Sequence, residues 1–150
     1  MDKEMLLECF TDVLEKMAFM FVEIADVDEM PDDCDNHLLS SMSYKGAAEG
    51  KIEILFPKDL TIELSANVLG IEEDDENIDQ IAYDTLKELL NVACGNILTA
   101  HYGIDPVFDL TVPEVNPLPV ADWVKYLNDE GNLLLLVDDS PVIISFKPKE

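Results

Sequence analysis

A chain of 150 residues with 33 Asp and Glu against nine basic side chains carries a formal charge of −24, and all nine basic residues are Lys. That balance leaves no basic patch for nucleic-acid phosphates, repels an anionic membrane surface, and offers no guanidinium fork for a small phosphate or carboxylate ligand. Because 48% of residues are apolar the chain can still build a core, and the expected partner is another protein with basic groups at its contact surface.

The start, Met1-Asp2-Lys3-Glu4, lacks the basic opening and apolar run of a signal peptide, and a cytoplasmic protein is expected. Residues 3–22 read as a helix, with Leu6, Phe10, Val13, Met17 and Met20 at helical spacing. Phe21 to Ala25 reads as extended chain, and Asp26 to Asn36 as a solvated acidic loop. That loop lacks the Gly and the spaced terminal Glu of a calcium loop. Leu38–Lys45 and Lys51–Phe56 form an expected hairpin around Gly46 and Gly50. A short helix over Leu60–Leu69 stops at Gly70, and Glu72–Glu76 reads as a solvated linker.

The longest expected helix runs from Asp79 to about His101 and ends near Gly103. Val107–Val112 reads as a strand between Pro106 and Pro113, and residues 114–131, with the single Trp, Trp123, as irregular. A last hairpin pairs Leu133–Val137 with Val142–Phe146, two strands apolar enough to need cover on their faces and pairing at an edge. The aliphatic run within it is too short to span a bilayer. This order of elements indicates one α/β domain over residues 1–150, with helices packed on a largely antiparallel sheet. Thr11–Ala18 can be laid over Asp84–Asn91, a weak sign of an internal repeat. The three cysteines, Cys9, Cys34 and Cys94, form no C-x-x-C pair, and no Cys or His stands at metal-ligand spacing from His37 or His101, so no metal site is expected.

On the second long helix, Ala82, Leu86, Leu89, Leu90, Ala93, Ile97 and Ala100 gather on one side and define the expected buried face. Asp84, Glu88, Asn91 and Gly95, spaced four, three and four, form a single ridge on the other. Polar residues opposite a core are also what any surface helix shows. Two members are less expected there: Asn is a mediocre helix former, and Gly95 costs about 1 kcal/mol relative to Ala while leaving bare backbone for a partner to approach.

Asp84-x3-Glu88-x2-Asn91, with Pro113 22 positions further on, resembles the signature of the CheC/CheX/FliY chemotaxis phosphatases. Chain length and element order are similar too. A single intact motif, with Ala18 where a second Asn would stand, resembles the CheX type. The resemblance implies a CheC-like sandwich with a pseudo-two-fold internal repeat. It also implies hydrolysis of the aspartyl phosphate of a CheY-like response regulator, and a homodimer. Asn91 would position the attacking water, Glu88 would pair with the receiver's active-site Lys, Asp84 and Gly95 would help dock the partner, and Pro113 would shape a strand end. No cofactor of the chain's own is implied, since the receiver brings its own divalent magnesium. Two other readings stay open: a receiver-binding module without activity, and a dimeric assembly module of the same fold.

Overall fold

A computed structural model describes residues 2–149, and its first helix, α1 (Lys3–Ala18), begins where the Asp2 carboxylate accepts the Met5 backbone N–H at 3.1 Å. The helix ends four residues short of the expected Val22. Phe19 adopts a left-handed conformation, φ 55°, and Met20 turns back into the core. A short strand β1 (Val22–Ile24) and a single 3-10 turn (Val27–Glu29) follow. The hairpin β2 (His37–Gly46) and β3 (Glu49–Pro57) comes next, then helix α2 (Lys58–Leu69), closed by Gly70 at φ 67° as its sequence position suggests. The long helix α3 spans Ile78–Tyr102.

Beyond α3 the structure differs from expectation. The strand expected over 107–112 is only β4 (Phe108–Leu110), and the stretch read as irregular holds β5 (Glu114–Pro117) and a fourth helix, α4 (Val120–Leu127). Both β4 and β5 pair with β2. Tyr44 faces Leu110 whereas Ser41 faces Glu114, so Val112 and buried Pro113 together oppose Met42 in a bulge. The final hairpin is β6 (Leu133–Val137) and β7 (Ser140–Lys149).

Seven strands form one sheet in the order β1-β6-β7-β3-β2-β4, with β5 also on β2, and every pairing is antiparallel. The last hairpin is therefore not at an edge: β7 lies at the centre beside β3, and β6 is paired on both sides. The sheet repeats itself about its middle. Outward from the centre run β7, β6 and β1 on one side, and β3, β2 and β4–β5 on the other. In each half a helix (α1 or α3) leads to a short strand and later to a hairpin. The short strands are exchanged, β1 joining the hairpin of the second half and β4–β5 that of the first. This is the pseudo-two-fold repeat, and it puts α1 and α3 in equivalent places.

Alternation along the strands divides the core in two. Ile52, Ile54, Phe56, Val142, Ile144 and Phe146 face α1, α2 and α3. Leu55, Ile143 and Leu134 face the other way, beneath α4 and the 26–36 segment. That segment is not merely solvated: its Met30 is buried, and the Pro31 carbonyl accepts the Trp123 Nε1–H at 2.9 Å. Gly50 is required by close approach, because a Cβ there would overlap the ring and hydroxyl of Tyr44. The Tyr44 hydroxyl in turn meets that of Tyr102 at 2.7 Å, fixing the C-terminal end of α3 against β2. At the other end, Lys58 of α2 pairs with Asp79 of α3 at 3.1 Å.

Candidate functional site

Helix α3 buries Ala82, Thr85, Leu86, Leu89, Leu90, Ala93, Cys94, Ile97 and Leu98. The buried stripe is thus broader than the seven positions expected, and Ala100, assigned to it by spacing, is exposed near the helix end. The last turn meets the sheet instead through Tyr102, on Tyr44 and Phe108, and through His101, on Phe146.

Asp84, Glu88, Asn91 and Gly95 are all exposed along the outer side of α3. Buttressed by both neighbouring helices and the sheet beneath, the helix presents them on a rigid rod. Among the described residues, the side chains of Glu88 and Asn91 take part in no hydrogen bond or ion pair, although Lys87 is adjacent in sequence. An unpaired carboxylate and an unpaired amide one turn apart leave all their bonding capacity to a partner. Asp84 differs: its Oδ1 accepts the Gln80 side-chain amide at 3.1 Å. Gln80, one turn before Asp84, was identifiable from the four-residue spacing alone and extends the ridge by a turn.

A Cβ added at Gly95 would meet nothing within 4 Å. Gly95→Ala is therefore expected to stabilise the protein by about 1 kcal/mol, read as a higher urea midpoint. Any loss of partner binding in that more stable variant would report on the added methyl itself.

Beside the ridge lies a groove of about 240 Å³ lined by Met17 of α1, Val68 and Leu69 of α2, and Ile81, Asp84, Thr85 and Glu88 of α3. Its apolar members come from three helices and share no local spacing, so the sequence alone carried no sign of it. The equivalent place on α1 offers no second ridge: Ala18, aligned with Asn91, is fully buried.

Thiol chemistry is unsuited to this site. Burial pushes Cys94 up to about 11, and burial with Asp33 and Asp35 nearby pushes Cys34 up to about 11. Burial and neighbouring acids also raise Cys9. All three stay protonated near neutral pH and are poor nucleophiles. What the ridge can supply is an oriented amide and a free carboxylate, which suits it to placing a water or a partner's ammonium group and not to covalent attack.

Comparison with known proteins gives a consistent result. The family model described as chemotaxis phosphatase CheX matches residues 38–116, just over half of the chain, and the span includes the whole ridge and Pro113. No curated protein matches the chain. Among solved structures, CheX from Vibrio vulnificus superposes with a TM-score of 0.70 at 19% identity, covering 97% of this chain and 95% of that one. CheX from Borrelia burgdorferi, solved as a CheX-CheY-BeF3-Mg complex, superposes at 0.68 with 19% identity, covering 98% and 97%. FliY from Thermotoga maritima is more distant, at 0.56 and 14% identity over 97% and 88%. At these identities the likeness concerns the fold. No helix among the described residues is long and apolar enough to cross a membrane.

Proposed function

Because the chain belongs to the CheX chemotaxis phosphatase family, we propose that it hydrolyses the aspartyl phosphate of a CheY-like receiver domain, using the outer ridge of α3. The observation that carries the proposal is the pairing of an exposed, unpartnered Asn91 with an exposed, unpartnered Glu88 one turn earlier. The Borrelia burgdorferi relative, solved with CheY, BeF3 and magnesium, supports the choice of partner.

An aspartyl phosphate is an activated acyl phosphate, and the receiver holds its own magnesium and its own Lys. The helper protein has little to add but position. A water oxygen attacks phosphorus in line with the bond to the aspartyl oxygen. That bond breaks, releasing inorganic phosphate and a free carboxylate on the receiver. With a loose transition state, alignment of the water provides most of the acceleration. The Asn91 carbonyl accepts a hydrogen bond from that water while its NH2 donates elsewhere. A carboxylate at the same place would face the phosphoryl oxygens at short range and be repelled. Glu88 pairs with the receiver's Lys and sets the helix over the pocket, and Asp84, held by Gln80, serves as a secondary docking group. Gly95 lets the receiver surface approach the helix backbone.

The decisive measurement is the decay of radiolabelled phospho-receiver with and without the protein. Acceleration is expected. Binding of the phosphorylated receiver with an unchanged decay rate would instead establish a non-catalytic module. Glu88→Ala removes a charge-assisted contact and should raise KM about tenfold or more while also lowering kcat, measured under steady-state turnover of a continuously phosphorylated receiver.

A further inference from the structure

We propose that the C-terminal ends of α1 and α2 form an apolar docking rim, with exposed Phe19 and Leu69 at its lip, that receives an apolar side chain of the phosphorylated receiver lying next to the receiver's active-site Lys. This rests on the phosphatase reading above and deepens it by naming a specificity-determining contact.

Phe19 is the anomaly from which it starts. Its side chain is 88% exposed, and its backbone is left-handed at φ 55°. The turn it closes uses two backbone bonds, Phe19 N–H to Glu15 O at 3.1 Å and Met20 N–H to Leu14 O at 3.3 Å. The first is an ordinary helical bond, the second needs the left-handed backbone, and neither needs a ring. Glycine would make the same turn without the Cβ penalty. Local structure thus opposes a phenylalanine at this point, and the core does not use it.

Its surroundings supply a use. The preceding carbonyl, Ala18 O, accepts the Asn67 side-chain amide at 3.1 Å, which ties the end of α1 to the end of α2. Phe19 directly follows the residue so tied, and Leu69, two residues beyond Asn67, is itself 56% exposed. Leu69 lines the groove together with Met17, Val68 and Ile81, Asp84 and Glu88 line it from α3, and Phe19 follows Met17 by two residues. An apolar slot bounded by two acids fits an apolar side chain with a cation next to it. A second copy of this chain, with a charge of −24, is the wrong complement to that acidic wall. A receiver whose Lys is engaged by Glu88 satisfies both halves.

Three variants test the rim: Phe19→Gly, Leu69→Ser and the double. Phe19→Gly keeps the turn and should fold at least as well as the parent by circular dichroism. Each single variant should raise KM for the phospho-receiver about tenfold, with kcat within about twofold of the parent. Titration with receiver loaded with beryllium fluoride should show the same loss of affinity. Unchanged KM and unchanged affinity in the double variant overturn the rim. A parent that binds the loaded receiver without accelerating decay defeats the phosphatase reading, and the rim then stands or falls on whether Phe19→Gly weakens that binding. A parent that does not bind the receiver overturns both. If sedimentation shows that Phe19→Gly dissociates a dimer while receiver affinity holds, the rim faces a second copy and the proposal fails.

Discussion

Asn91→Ala is expected to lower kcat for receiver dephosphorylation by about a hundredfold or more, with little change in KM, because a misplaced water loses the alignment on which the step depends. The same substitution should leave the fold intact or slightly stabilise it. The side chain is exposed and unbonded, and Ala is the better helix residue by about half a kcal/mol. Falling activity with steady or rising stability separates a positioning role from a structural one. Asn91→Asp sharpens the test: it keeps the size of the side chain, yet its charge should be no more active than the alanine. Phosphate release from a continuously phosphorylated receiver, with urea midpoints in parallel, measures both. An Asn91→Ala variant with the parent rate would remove Asn91 from the mechanism.

The second large effect lies on the opposite side of the sheet. Trp123→Ala should destabilise the protein by about 3–5 kcal/mol, a large fraction of the stability of a chain this size. Trp123 is fully buried among Met30, Leu55, Leu118, Leu127, Leu134 and Ile143. Its ring packs against His37 with centroids 4.7 Å apart, and its N–H holds the Pro31 carbonyl. Removing it unpins α4 and the 26–36 segment together. The ridge on α3 belongs to the other core, so activity per folded molecule should persist at low temperature. Circular dichroism in urea gives the stability, since the substitution removes the only Trp.

The contrast between these two sites shows what the sequence carried. The α3 ridge was legible because exposure of Asp84, Glu88, Asn91 and Gly95 follows from helical spacing opposite a long apolar stripe, which is a local property. The fourth helix was legible in principle: Val120, Trp123, Val124 and Leu127 stand at helical spacing. Pro117 and Pro119 fall in the stretch read as irregular, although a proline just before the first turn is compatible with a helix start. The end of α1 was misplaced because apolar residues continue through Phe19 and Met20, whereas the backbone turn that stops the helix leaves no compositional mark. The placement of β6 and β7 was beyond any local pattern. Alternation tells a strand which of its faces is buried, but its neighbours are chosen by the whole topology.

The exchange of short strands ties the order of synthesis to the order of folding. Val22 pairs with Val137, so the first rim of the sheet waits for almost the last hairpin to leave the ribosome. Until then α1 is a nascent amphipathic segment without its full cover, and neither half of the chain can close its own border. During that interval the acidic side chains of the N-terminal half oppose association of its unpaired border. The acidity that suits the chain to a partner with basic groups thus has a second use before any partner is met.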